Sequence, residues 1–228
     1  MKPYYEHAGV TIYHGDCRDV LASFPSCFSV GAIVMDPPYG LEFPYLTYQD
    51  TREALRTLIA DVMPLAVAKA ERVLVLCGPT QVGLYPEPTW VSCVTWDTTG
   101  SFGKRGYNQW TPVLCYGPDL EGFGNVNGVM KSDVLRISGG AGVGFQRSDE
   151  ERMHTCPKPE NLMRKVIKRF VPEGAAIIDP FMGSGTTIVA AKALGHRAMG
   201  IEIEERYCEI AAKRLQQEAL PLEMETSA

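Results

Sequence analysis

Six residues, MDPPYG at 35 to 40, close an apolar run, Val30-Gly31-Ala32-Ile33-Val34. Two prolines fix two φ angles and remove two backbone donors, so a strand must stop at Pro37 and Pro38. What remains is a short, stiff segment with a carboxylate, Asp36, before it and an aromatic, Tyr39, after it. A bare Asp-Pro is an ordinary strand-ending turn. Asp-Pro-Pro-Tyr in this place is rarer.

A second group of chemistry-bearing residues is Asp179-Pro180-Phe181-Met182-Gly183-Ser184-Gly185-Thr186-Thr187. Glycines one residue apart let the backbone turn sharply and approach a ligand, and a helix start beyond them offers free backbone donors. The pattern is neither GxGxxG nor a phosphate-binding Walker loop, because no Lys follows in the Gly-Lys-Ser/Thr position. Asp179 stands 23 residues before Glu202, which closes the run Gly200-Ile201-Glu202. An acid at the tip of the second strand of a nucleotide-binding unit takes ribose hydroxyls.

The elements that must position these residues alternate. Strands are expected at 30–35, 72–77, 91–96, 111–116, 175–179 and 198–202. Leu55, Leu58, Ile59, Val62, Met63, Ala66 and Val67 recur at helical spacing, predicting a helix over 51–70 that Pro64 should kink or divide. Further helices are expected at 186–194 and 204–217. Strands alternating with helices imply an α/β protein with a doubly wound, mainly parallel sheet. Residues 117–150 are glycine-rich with little periodicity and read as a loop region or small insertion.

A chain of 228 residues, 45% hydrophobic and 21% charged, has the composition of a soluble globular protein able to bury a core. There is no run of 18 apolar residues and no signal segment at the start, so no membrane partner is expected. Seven cysteines without a Cys-x-x-Cys pair fit reduced thiols in a cytoplasmic compartment. His154 and Cys156 lack a second pair to complete a tetrahedron, so no metal is expected. A net charge of −5 argues against nonspecific coating of nucleic acid. Locally, residues 147–169 carry seven positive and four negative side chains, Lys158 among them.

DPPYG at 36–40 and DPFMGSGTT at 179–187 resemble the catalytic and cofactor motifs of the amino-group DNA methyltransferases that use S-adenosylmethionine. The order, catalytic motif first, is similar to the circularly permuted β group of that family. His14-Gly15-Asp16-Cys17 with Asp19-Val20-Leu21 resembles the segment preceding the catalytic motif there. His154-Thr155-Cys156-Pro157-Lys158-Pro159 resembles the family's His-Pro-Thr-x-Lys-Pro segment with Pro and Thr out of the usual order.

The resemblance implies a Rossmann-like methyltransferase. Its catalytic half would be 1–96, an inserted recognition region 97–153, and the S-adenosylmethionine-binding half 154–228. An exocyclic amine on adenine or cytosine is a poor nucleophile because its lone pair is delocalised into the ring. Asp36 and the Pro37 carbonyl would accept its N–H groups and free the lone pair, with Tyr39 stacked on a base flipped from duplex DNA. Stacking contributes about 1–3 kcal/mol per base, comparable with the cost of flipping. The methyl would pass in line, with positioning and electrostatics carrying the acceleration. Carbon-5 methylation would need a Pro-Cys nucleophile, and the chain has no Pro-Cys dipeptide.

For the cofactor, the resemblance implies methionine near Phe181, Gly183, Ser184, Gly185 and Thr186 beside Asp179, ribose on Glu202 and the adenine amine near Asp16. Lys104, Arg105, Asn108 and Gln109, beside Tyr107 and Trp110, are base-edge readers by residue type, and Lys158 is a further DNA contact. Asp before Pro-Pro-Tyr favours adenine, with N4-cytosine transfer as the alternative and an inactive DNA- and cofactor-binding protein as the alternative of another class. A homodimer and a cognate restriction nuclease are left open.

Overall fold

The computed structural model describes residues 2–96, 101–103, 106–118, 125–126, 129–130, 132–137 and 158–217. The first half runs β1 (Tyr5–His7), β2 (Val10–His14), α1 (Cys17–Ser23), β3 (Ala32–Met35), α2 (Arg52–Lys69), β4 (Val73–Leu76) and β5 (Trp90–Trp96). Short strands β6 (Ser101–Gly103) and β7 (Gly106–Asn108) form a hairpin, then come β8 (Trp110–Tyr116), the small hairpin β9 (Asn125–Val126) and β10 (Val129–Met130), and β11 (Val134–Ile137). The last part is α3 (Glu160–Phe170), β12 (Ile177–Asp179), α4 (Thr186–Ala193), β13 (Ala198–Glu202) and α5 (Glu205–Gln217).

Nine strands form one sheet in the order β1-β2-β13-β12-β3-β4-β8-β5-β11. β2, β13, β12, β3 and β4 run parallel, β8 is antiparallel to both β4 and β5, and β1 closes the other edge antiparallel to β2. The period-2 geometry of a strand splits each buried run between two layers. Ala32, Val34, Leu74 and Leu76 face a core shared with α3, α4 and α5. Ile33, Met35, Val73 and Val75 face a second core under α1 and α2. The result is a three-layer, Rossmann-like α/β fold.

Pro64 does not divide α2, which runs unbroken from Arg52 to Lys69. Its ring lies on the exposed side while Leu55, Ile59, Val62, Met63 and Ala66 hold the other side in the core. Thr51 caps the helix, its hydroxyl accepting the Ala54 N–H at 3.1 Å.

Two strands of the stretch expected to hold a recognition region lie in the central sheet. β8 sits between β4 and β5, and β11 pairs with β5 at the edge. The 117–150 region is therefore not all loop. α3 buries Leu162, Met163, Val166, Ile167 and Phe170 and exposes Lys165 and Lys168, which reconciles its charge with a core position.

Phe170 is fully buried and packs edge-on against Trp90 with ring centroids 5.2 Å apart, joining α3 to β5. Phe170→Ala is expected to cost about 3–5 kcal/mol of folding stability, read as a lower denaturation midpoint at an unchanged denaturant slope.

Candidate active site

Four neighbouring parallel strands, β2, β13, β12 and β3, deliver an acid each to the same end of the sheet. Glu202 and Asp179 are the last residues of β13 and β12, Asp36 follows β3 directly, and Asp16 follows β2 by two residues. Ligands of open α/β sheets bind in the crevice outside the carboxyl ends of the strands. Here that crevice is a cavity of about 370 Å³, with all four acids in its wall.

The Asp36 carboxylate is held on both oxygens. Tyr39 Oη donates to Oδ1 at 2.8 Å and Lys158 Nζ donates to Oδ2 at 2.6 Å. Lys158 Nζ also lies 4.9 Å from the Tyr39 ring centroid, within cation–π range. The sequence reading assigned Lys158 to DNA. In the folded chain it is paired with the acid of the Pro-Pro-Tyr segment, 122 residues away.

The segment after Tyr39 is fastened by residues that no motif announced. Buried Asp50 accepts the backbone N–H groups of Gly40, Leu41 and Phe43 at 2.6, 3.0 and 3.1 Å. This clamp holds Glu42 at φ 60°, a conformation that costs a non-glycine residue of order 1 kcal/mol or more. Gln81, also buried, donates to the Tyr39 carbonyl at 2.8 Å. Glu204 accepts the Leu46 N–H at 3.0 Å and the Arg206 guanidinium at 2.7 Å, tying the loop to the end of β13. Tyr48 brings a buried hydroxyl to the cavity wall, and that oxygen has no hydrogen-bond partner among the described residues.

The glycine loop folds around its acids. Asp179 Oδ1 accepts the Phe181 N–H at 2.9 Å, and Glu202 accepts Gly183 N–H and Glu204 N–H, both at 2.8 Å. Gly185 is the N-cap of α4 at φ 86°, and a Cβ there would meet Ala211 Cβ at 2.8 Å, so glycine alone fits. Ser184 and Thr186 are buried, and their hydroxyls lie within 3.4 and 3.3 Å of Arg214, whose guanidinium donates to the Ser184 carbonyl at 2.7 Å. They fasten the loop to α5, a role the sequence reading did not give them. Phe181 lines the cavity half-buried.

Asp16 caps α1 and is forked by Arg18, with contacts of 2.6 to 3.2 Å that hold its carboxyl below the usual range. Burial pushes Glu202 upward, against the backbone donors it accepts. Asp179 is pushed up to about 7, by burial first and then by the nearby charges of Asp36 and Glu202, against the hydrogen bonds of Thr187 and Phe181.

Of the proposed DNA readers, Gln109 is exposed beside β8 and Asn108 ends β7, whereas Lys104 and Arg105 lie outside the described residues. His154 and Cys156 lie outside them too. Trp110, exposed at the start of β8, is not a core residue. Among the described residues no helix is long and apolar enough to cross a membrane.

A family model described as DNA methylase matches residues 98–213. The type II methyltransferase M.ScaI of Streptomyces caespitosus is 29% identical over 266 residues, covering 97% of this chain and 86% of that protein. The DNA adenine methyltransferase YhdJ of Escherichia coli K12 is 26% identical over 90% of this chain and 82% of its own. Among solved structures, the cytosine-N4-specific PvuII DNA methyltransferase superposes with a TM-score of 0.72 at 16% identity, covering 96% and 91% of the two chains. The M1.HpyAVI complex with S-adenosylmethionine gives 0.66 at 23%, covering 90% and 98%. At these identities the structural matches show the fold.

The raised Asp179 carboxyl makes stability depend on pH. Its folded value near 7 exceeds the unfolded value near 4, so between them the native state holds the extra proton. The contribution is full below about 4 and is lost as pH rises through 7. Asp179→Asn, which keeps an acceptor and never ionises, is expected to gain stability relative to the parent as pH rises from 5 to 8. Paired denaturation curves that stay parallel across that range would remove the assignment.

Proposed function

The chain belongs to the DNA methylase family of amino-group methyltransferases, which act at N6 of adenine or N4 of cytosine with S-adenosylmethionine, and we propose that adenine in a short duplex site is its target. The observation that carries the reading is the Asp36 carboxylate, oriented by the Tyr39 hydroxyl at 2.8 Å and set one strand from the glycine loop. The base is flipped out of the duplex and stacks on Tyr39, because its amine cannot be reached inside the stack. Asp36 accepts one amine N–H and the Pro37 carbonyl a second, localising the lone pair on nitrogen. With S-adenosylmethionine bound, the nitrogen would attack its methyl carbon as the carbon–sulfur bond breaks, leaving the neutral thioether, and the methylated amine would pass its extra proton by way of Asp36 to solvent. Pro38 keeps the segment stiff while this happens.

The cofactor fits the acid crevice by charge. S-Adenosylmethionine bears a sulfonium, an ammonium and a carboxylate, one net positive charge, and the wall offers Glu202 and Asp179, the latter partly protonated at neutral pH, with Asp16 paired to Arg18. Glu202 takes the ribose hydroxyls with the acceptor capacity its backbone donors leave, Asp16 lies toward the adenine, and Phe181 and Gly183 border the methionine part. On this reading 1–96 supplies catalysis, 154–228 the cofactor site, and 97–153 target recognition.

Support for adenine comes from Asp before Pro-Pro-Tyr and from the likeness, 26% identical over 90% of this chain, to a DNA adenine methyltransferase. N4-cytosine is the second reading, because the same Asp36 and Pro37 acceptors would serve that amine equally. Transfer from labelled S-adenosylmethionine to mixed-sequence duplex DNA, followed by nucleoside mass spectrometry, decides between them. N6-methyladenine is expected, N4-methylcytosine would exchange the base and keep the mechanism, and label in neither base would refute both.

Asp36→Ala is expected to lower kcat by about 10²–10³ or more, with cofactor affinity unchanged. Glu202→Ala should instead weaken S-adenosylmethionine binding about ten- to hundredfold, measured by calorimetry. An unchanged Kd in the second variant would remove the ribose assignment.

A further inference from the structure

The seat given above to the target base is occupied in the free protein by one of its own side chains. Lys158 Nζ is 2.6 Å from Asp36 Oδ2 and 4.9 Å from the Tyr39 ring centroid. These are the two groups that the proposed reaction assigns to the base, the carboxylate for its amine and the ring for its face. An ammonium is itself a nitrogen bearing N–H donors, so Lys158 stands in for the amine. A base stacked on that ring with its amine on Asp36 would compete with the ammonium for the same place.

We propose that Lys158 is a positioning residue that exchanges partners on DNA binding, leaving Asp36 for a backbone phosphate beside the extruded nucleotide. This inference rests on the base-flipping reading above. The exchange leaves neither group without a hydrogen-bond partner. Asp36 loses an ammonium and gains the amine N–H, while Lys158 loses a carboxylate and gains a phosphate. Breaking one partner of a partly buried pair without such a replacement is costly, which holds the pair closed on DNA that extrudes no base. The side chains of the pair are 20% and 22% exposed, so the ammonium is already in contact with solvent at the cavity wall. Lysine suits the task, since its charge sits on a flexible stem with rotatable donors and binds phosphate as a point charge. On the neighbouring helix Arg164 is already paired with Glu160 at 2.6 Å, and Lys165 donates to the Arg136 carbonyl at 2.7 Å.

The test is the salt dependence of DNA affinity, using duplexes with and without the target site, located by sequencing of the methylated DNA. Each phosphate contact contributes about 0.9 to the slope of log K against log salt. Lys158→Met is expected to flatten the slope by about 0.9 on the site-bearing duplex and to leave it unchanged on the other. Its KM for DNA should rise by a larger factor than its kcat falls, and Lys158→Arg should restore the slope. A Met variant with the parent's slope and a depressed kcat would overturn the exchange and leave Lys158 as a fixed brace for Asp36. A parent enzyme that methylates no DNA base would instead overturn the functional reading and the exchange with it. Thermal melts of both variants separate a folding defect from either result.

Discussion

Four carboxylates gathered at the tips of adjacent strands are the constraint around which the rest of the molecule is arranged. Like charges in a half-buried crevice repel and are poorly hydrated, and each acid here is answered differently. Asp16 is forked by Arg18, Asp36 is paired with Lys158, and Glu202 is wrapped by backbone N–H groups. Asp179, the most buried, keeps its proton to about pH 7. The glycine loop has its particular shape because it must present N–H groups to two of these acids. Gly185 at φ 86° then starts a helix against Ala211 with no room for a side chain.

The crevice also explains why distant parts of the chain are bound together where they are. β3 from the first half lies beside β12 from the second, so the Pro-Pro-Tyr segment and the glycine loop become neighbours through sheet order alone. Sheet register places the strands but does not fix the loops beyond them. That task falls to long-range bonds: Lys158 to Asp36, Glu204 to the Leu46 N–H, and Arg214 to the Ser184 carbonyl. Asp50 and Gln81 complete the set from within the first half. Each makes a hydrogen bond to backbone or to a charge, the kind whose loss leaves a buried group unsatisfied.

The sequence made legible what depends on periodicity or on local turn chemistry. β3, β4, β12, β13, α2, α4 and α5 lie within about two residues of their expected spans, because each is a buried run or an amphipathic repeat bounded by Gly, Pro or Asp. α3 was obscured by its charges, although Leu162, Met163, Val166, Ile167 and Phe170 form a continuous buried face. β11 was hidden in a glycine-rich stretch, since an edge strand of four residues carries too short a pattern. Pro64 misled because a proline is tolerated where the helix face is exposed and packing on the other side is strong. In the site, the acids and glycines were readable because their chemistry is local to a motif. Asp50, Gln81, Glu204 and Arg214 were not, because an isolated polar residue gives no sign of the backbone it will meet.

The same balance bears on how a cationic methyl donor can be held and still react. An unscreened cluster of acids would bind a sulfonium tightly, but the transition state disperses that charge, so such binding would favour the reactant over the transition state and slow transfer. A crevice whose acids are already paired, wrapped or protonated offers a weaker and more even field. On the proposed reading catalysis rests on aligning nitrogen, methyl carbon and sulfur, and the clamps on the 40–50 segment and on the glycine loop would hold that geometry. Charge is managed so that position can decide the rate.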